Sequence, residues 1–460
     1  MPKPLVYLLY NALLPLALLA GFPSFILKGV RRGGLARNFR QRLGRFHADT
    51  LERFAGRRPV WIHAVSVGEV FVALKIVEAI HARHPGQAVV LSTTTTTGYA
   101  VASERNSAQL TVIHNPVDLP WITARVLRLL DPAALVLVEA EVWPNLVAQA
   151  KRRGVPVCLV NARLSPRSAA RYRRFRPFVA PIFSQLDLVT VPFEADLARW
   201  TAIGVPKERI FVHGSVKFDQ ATGEQGFQEK VAELRAWLAR EGLPEGSRIV
   251  LAGSTHDGEE ALVARTLAAL EPDFPGLALV AVPRHAERGA ALAVELRALG
   301  FDPVLRSARP TVLDEEEAAA APTEPTAPGG QGARVWISDT TGELRAWFQL
   351  AELVVIGKSF HGGGGQNPVE PVLAHKPVVV GPRMENFADV VSDLLAARGI
   401  RQVPGDKALA ETLREFLADP EAGLAMAARG SAAMARHEGA AARSATAVLA
   451  QMEQASPPPP

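Results

Sequence analysis

Residues 61–70, Trp61-Ile62-His63-Ala64-Val65-Ser66-Val67-Gly68-Glu69-Val70, decide the fold. Val60–Ala64 is an apolar run of the length of one buried strand. Ser66, Val67 and Gly68 interrupt it. From Glu69 onward apolar residues recur at helical spacing through Val70, Ala73, Leu74, Val77 and Ile80. A strand that empties through small residues onto a helix start is where open α/β sheets hold their ligands. Glu69 is expected there, its carboxylate near backbone N–H groups and the positive end of a helix dipole, which would keep it ionised at neutral pH and limit its basicity. Spacing alone asks no more of a first-turn glutamate than that it favour its helix. The remainder of the chain asks more.

A chain of 460 residues exceeds one ordinary core, so two domains are expected. Hydrophobic residues at 48% and charged ones at 21% describe a folded protein. The formal charge of +5 is small for this length and gives no reason to expect a nucleic-acid partner. A single cysteine, Cys158, excludes a disulfide framework and a CxxC metal site.

Leu5–Leu27 carries no charge, and Lys28, Arg31, Arg32, Arg37, Arg40, Arg42 and Arg45 follow it against Lys3 alone before it. The stretch is long enough to cross a bilayer, or to lie in one leaflet if Pro15 bends it. The charge asymmetry keeps the bulk of the chain cytoplasmic, and it opposes export through a cleaved signal peptide. The arginines suit anionic headgroups, or simply form a solvated basic collar.

From Pro59 strand-like and helix-like segments alternate. Val89–Leu91 leads into Ser92–Gly98, whose threonines suit a helix cap or an anion. Ala134–Val138 runs into Glu139 and Glu141, which would share a face if the strand continued. Pro156–Val160 delivers Asn161–Ser168, and Ile210–Val212 is followed by His213–Asp219. Successive strands ending in polar residues are expected when their carboxyl ends line one cleft.

A helical link, Phe227–Glu241, precedes a second alternating half. Its centre, Leu353–Pro371, is a strand entering a glycine loop, after which Asn367-Pro368-Val369-Glu370 starts a helix. Glycines allow close backbone approach, a helix start suits a phosphate, and Glu370 can accept hydrogen bonds from ribose hydroxyls. Arg309–Arg334 and Ser456–Pro460 read as disordered on composition.

In order, SVGEV, EAEVWPN, NARLSPRS, GSVKFD, GSTHDGEE, PRHAER, DTTGEL, GGQNPVEP and GPRMENF resemble the Kdo (3-deoxy-D-manno-octulosonic acid) transferases of lipid A assembly. The likeness runs from the N-terminal segment to about Arg436. It implies an α/β chain of GT-B architecture, two Rossmann-like domains facing across a cleft behind a membrane-anchor helix. The expected division is anchor 1–30, acceptor domain 31–218, CMP-sugar domain 219–440 and a C-terminal extension 441–460 with a flexible tail. The activity implied is inverting transfer of Kdo from CMP-Kdo to a lipid A precursor at the cytoplasmic face of the inner membrane, with no metal or other cofactor. By the same resemblance Glu69 is the general base, and Glu139 and Lys217 are transition-state stabilisers. Pro283, Arg284, Gly342, Glu343, Leu344, Asn367, Pro368, Val369 and Glu370 hold CMP. Gln366 and Arg383 stand where the family often has histidine.

The chemistry agrees. An acceptor hydroxyl needs a carboxylate to take its proton, and departing CMP needs cationic or N–H partners, which Lys217, Arg284 and the Asn367 helix start can supply. His256 beside Asp257 is better read as a loop hydrogen-bonder than as a metal ligand. Another GT-B enzyme using a different nucleotide sugar, or a non-catalytic sugar-phosphate binder, would share the cleft, and nucleotide preference separates them.

Overall fold

The computed structural model describes every residue except 33–34, 141, 220–225, 308–332 and 456–460; side chains are further limited by leaving out those of 21–38 and Pro166. The chain forms two compact units, Met1–Ala221 with Arg436–Pro460, and Thr222–Ala435.

The first unit is built on β1 (Val60–Ala64), β2 (Val89–Thr93), β3 (Leu110–His114), β4 (Ala134–Val138), β5 (Val157–Val160), β6 (Leu188–Val191) and β7 (Ile210–Val212). They form a parallel sheet in the order β3-β2-β1-β4-β5-β6-β7. Side chains alternate across it. Val60, Ile62 and Ala64 face the helix Val67–Arg83, while Trp61 and Leu135 face a second core with Val126, Leu127 and Val147. Both faces are covered, which is why the strands read as unbroken apolar runs.

One element of this unit comes from the far end of the chain. The helix Ala440–Gln454 places Ala440, Ala445, Val448 and Leu449 in the same core as Val60 and Ile62. Residues 441–455 are therefore part of the first unit's core and not an appended extension. Their small, widely spaced apolar residues gave no sign of a partner so distant in sequence.

The second unit's strands are β8 (Arg248–Thr255), β9 (Leu277–Pro283), β10 (Asp302–Leu305), β11 (Arg334–Ile337), β12 (Leu353–Ile356), β13 (Val378–Val380) and β14 (Arg401–Gln402). They are again parallel, in the order β10-β11-β9-β8-β12-β13-β14. Of the segment Arg309–Arg334, residues 309–332 lie outside the described residues. Arg334 itself is ordered: it opens β11, pairs in register with Asp302 and is bonded to that carboxylate at 3.0 Å. The tail Ser456–Pro460 also lies outside.

The N-terminal helix, Lys3–Arg32, is the one helix among the described residues long and apolar enough to cross a membrane. A short helix, Leu35–Arg42, follows it.

Candidate active site

In the first sheet the strand order reverses between β1 and β4, the position at which such sheets bind ligands. Glu69 follows β1 and Glu139 follows β4. Ser66 caps the helix Val67–Arg83, accepting from Glu69 N at 3.4 Å. The Glu69 carboxylate turns back on the loop, accepting from Val65 N at 2.8 Å and from Ser66 Oγ at 2.9 Å. Ser66 and Glu69 thus cap the helix together, a variant of the capping box in which the carboxylate takes the N–H of Val65, the residue before the cap. Glu69 keeps only 8% of its surface exposed. Burial holds its carboxyl above the ordinary carboxylate range, opposed by the bonds from Val65 and Ser66 and reinforced by the charge of Glu139. The expectation of an acidity set by helix N–H groups is thus corrected: desolvation prevails, and Glu69 is a stronger base than an exposed carboxylate.

Strand β4 ends at Val138 and does not continue through Glu139, so the condition for a shared face with Glu141 is not met; Glu141 lies outside the described residues. Glu139 turns at φ 62°, left-handed backbone that costs an L-residue about 1–2 kcal/mol. Its N–H donates to Val160 O at 3.0 Å. Its carboxylate is ion-paired to Lys217 Nζ at 2.5 Å and accepts from Asn161 Nδ2 at 3.5 Å. Asn161, also left-handed at φ 53°, accepts with its other end from Val216 N at 3.0 Å. One asparagine thus ties the end of β5 both to Glu139 and to the loop carrying Lys217.

That loop is fixed from three sides. Lys75 Nζ, on the helix whose first turn holds Glu69, donates to Val216 O at 3.1 Å and Asp219 O at 2.5 Å. Ser215 N donates to His437 Nδ1 at 2.9 Å, and Asp219 accepts from Gly439 N at 2.8 Å and Ala441 N at 2.7 Å, at the start of the C-terminal helix. Gly214 runs so close to this return segment that a Cβ would stand 2.6 Å from Arg436 O. Behind the site His63 is fully buried, its pKa pushed down to about 4 by that burial. Trp143 Nε1, which can only donate, meets His63 Nε2 at 3.1 Å. The imidazole is therefore neutral with its proton on Nδ1, facing Ser92.

The second sheet reverses between β8 and β12. Glu259 joins the loops beyond those strands, its carboxylate accepting from His256 N at 2.9 Å, Lys358 N at 2.6 Å, Ser359 N at 2.9 Å and Phe360 N at 3.0 Å. Gly357 lies against β8, where a Cβ would come within 2.4 Å of Thr255 Cα. Gln366 Nε2 reaches His256 Nε2 at 3.3 Å, so Gln366 bridges the same two loops. Asp257 pairs instead with Arg288 at 2.6 Å.

Asn367 Oδ1 accepts from Val369 N at 3.1 Å and its Nδ2 donates to Glu370 at 2.9 Å. Pro368 is the cap and Val369 the first helical residue. Pro283 ends β9, and Arg284 beyond it is exposed, its N–H held by Thr255 O at 3.0 Å. Gly342 is exposed at φ 83°. The Glu343 side chain is buried and committed to Arg306 at 3.1 Å and Lys230 at 3.6 Å, which leaves Gly342 as the exposed residue of Gly342–Leu344.

A sequence profile described as 3-Deoxy-D-manno-octulosonic-acid transferase (kdotransferase) matches residues 37–220. The 3-deoxy-D-manno-octulosonic acid transferase of Bordetella pertussis is 33% identical over 401 residues, 85% of this chain and 86% of that protein. The chain belongs to this transferase family. The enzyme of the same name from Haemophilus influenzae is 32% identical over 348 residues, 75% of each chain. Among solved structures, a glycosyltransferase from Rickettsia africae is similar in fold, with a TM-score of 0.54 at 10% identity, covering 87% of this chain and 100% of that one. Two Rossmann-like units with parallel sheets make the GT-B architecture, and this Kdo-transferase-family chain is a glycosyltransferase.

Sequence reasoning assigned no role to Asn161, Lys75, Asp219 or Glu259. Asn161 and Asp219 lie within NARLSPRS and GSVKFD, and Glu259 within GSTHDGEE, so polar residues just beyond strands were the available signal. Lys75 had none: it sits on a helix among apolar residues.

Proposed function

We propose that this protein transfers Kdo from CMP-Kdo to a hydroxyl of a lipid A precursor, with inversion and without a required metal, held on the cytoplasmic face of the inner membrane by its N-terminal helix. The observation that carries the reading is Glu69: a carboxylate at the β1/β4 reversal, held by two hydrogen bonds and made more basic by burial. Glu69 takes the acceptor hydroxyl's proton as that oxygen attacks the anomeric carbon of Kdo. The bond from that carbon to the CMP phosphate oxygen breaks, and CMP leaves with the electron pair. Lys217, positioned by Glu139 and Asn161, supplies positive charge to the developing transition state. Exposed Arg284, the backbone of Gly342–Leu344 and the Asn367–Glu370 turn hold the nucleotide, and the glycine loop fixed by Glu259 shapes that site.

The test is to incubate purified protein with CMP-Kdo and lipid IVA, with and without EDTA, and weigh the products. Masses increased by whole Kdo residues in both arms support the reading and give the number transferred. CMP should also protect the protein from thermal unfolding more than UDP does. Preferential protection by UDP, with no Kdo product, would assign the chain a different donor.

A further inference from the structure

Both ends of the N-terminal helix's apolar stretch return to the first unit. At the start, Met1's amino group donates to Pro177 O at 3.3 Å, and Val6 is buried. Tyr7 OH accepts from Gln185 at 2.8 Å, Tyr10 OH donates to Asp118 at 2.9 Å, and Asn11 exchanges hydrogen bonds with Asn145. Beyond the stretch, Gln41 accepts from His114 N at 3.0 Å and Arg42 donates to Thr94 O at 2.6 Å. From Ala12, just past these contacts, to Leu27, the end of the uncharged stretch, the helix is roughly 24 Å long at ~1.5 Å per residue, short of a ~30 Å hydrocarbon core. If it crossed nonetheless, the chain would have to return through the bilayer before Gln41, carrying Lys28, Arg31, Arg32, Arg37 and Arg40. That segment contains no second apolar span, and charges at bilayer depth are expensive.

From Ala12 to Ala20 every position of the helix except Leu14 is exposed, and this open surface is apolar: Leu8, Leu13, Leu16 and Leu19 are 62–70% exposed. Neighbouring elements add exposed apolar side chains on the same unit. Trp121 begins a helix just beyond Asp118, and Phe178 lies on the helix Arg176–Phe183 that packs against the N-terminal one. Between the helix and Pro144–Arg152 lies a cavity of about 430 Å³ lined by Lys3, Tyr7, Lys151 and Arg152. Among the described residues, Asp187, on Lys151 at 2.6 Å, is the one carboxylate ion-paired to any of these three cations. Lys3's pKa is lowered, by partial desolvation first and then by the charges of Arg152 and Lys151. The cluster thus sets three cations against the single carboxylate of Asp187, which leaves net positive charge for an anion.

We propose that the N-terminal helix lies in the plane of one leaflet with both ends on the same side of the membrane, and that Lys3, Lys151 and Arg152 hold the phosphate of an anionic phospholipid in the cavity beside it. This rests on the membrane-anchor reading above and adds its orientation and its lipid. An apolar open face buried at the headgroup boundary beside basic residues is how interfacial helices bind. A docked first turn also keeps the sheet of the first unit at a fixed distance from the lipid surface.

Two measurements on the full-length protein test it. Cys158 is fully buried, so it leaves a silent background for thiol labelling. Pro2→Cys and Thr201→Cys, both at exposed positions, are treated with a membrane-impermeant maleimide in intact spheroplasts and in inverted vesicles. Labelling of both only in inverted vesicles is expected. Labelling of Pro2→Cys from the opposite side overturns the in-plane orientation while leaving membrane anchoring intact. A protein recovered wholly in the soluble fraction overturns anchoring and orientation together. For the lipid, flotation with phosphatidylglycerol/phosphatidylcholine vesicles should exceed that with phosphatidylcholine alone, and Lys3→Gln or Arg152→Gln should weaken it about fivefold per charge. Equal binding to both vesicle types, or variants that bind as wild type, overturns the headgroup site.

Discussion

Replacing Glu69 by Gln isolates proton transfer from folding. The carboxylate holds two local contacts, from Val65 N and from Ser66 Oγ. In Gln the remaining oxygen keeps the Val65 bond, and the amide donates to the Ser66 hydroxyl, which rotates to accept. The capping box is therefore mostly retained, and the stability change should stay within about 1 kcal/mol. The lone pair that takes the acceptor proton is lost. Turnover should fall by roughly two to four orders of magnitude, about 3–5 kcal/mol in the barrier. The pH profile supplies a second, independent readout. The ionised form of Glu69 is the active one, and burial raises its pKa. The wild-type rate should therefore rise with pH along a limb displaced above the ordinary carboxylate range. Because the folded state holds this proton more tightly than the unfolded one, the site's contribution to stability declines as pH rises from the ordinary carboxylate value through the raised one. Both features should vanish in Glu69→Gln. The assay is single-turnover Kdo transfer across pH, with CMP affinity measured in parallel and expected unchanged. Near-wild-type turnover, or an acid limb that persists in the variant, would refute the assignment and place the base elsewhere.

Asp219→Ala removes two hydrogen bonds to the start of the C-terminal helix. It should cost about 2 kcal/mol, a Tm fall of roughly 4–8 °C, and slow transfer by loosening the loop of Lys217; calorimetry and kcat check it. Glu259→Gln keeps the shape but turns an amide NH2 toward backbone N–H groups on one side, where the carboxylate accepted four. CMP affinity should drop tenfold or more in titration calorimetry, roughly one lost charged hydrogen bond's worth. Truncation before Arg436 strips Ala445, Val448 and Leu449 from the first unit's core. The product should be insoluble or expose a hydrophobic-dye-binding surface; a soluble, cooperatively melting product would show that the helix is dispensable.

Much of the fold was legible because parallel strands buried on both faces must be short apolar runs. Val60–Ala64 and Ala134–Val138 coincide with strands buried along their whole length, and Ile210–Val212 with the strand at the sheet's edge. Candidate site residues were legible where they sit at a strand's carboxyl end or in the first turn of the helix after it, as Glu139 does after β4 and Glu69 after β1. Less visible were β10, whose Asp302-Pro303 start resembles a turn, and the role of Glu343, whose ion partners Arg306 and Lys230 are distant in sequence.

By itself, then, the sequence determined local periodicity, the strand-to-helix junctions and the ordered motifs that mark the family, because each depends on residues close along the chain. Tertiary structure alone decided three things. It brought residues 440–454 back into the first core and onto Asp219. It raised the basicity of Glu69, since desolvation depends on what packs around a carboxylate and not on its neighbours in sequence. It also returned both ends of the apolar N-terminal stretch to one unit, through hydrogen bonds that join Tyr10 to Asp118 and Gln41 to His114 across gaps no periodicity spans.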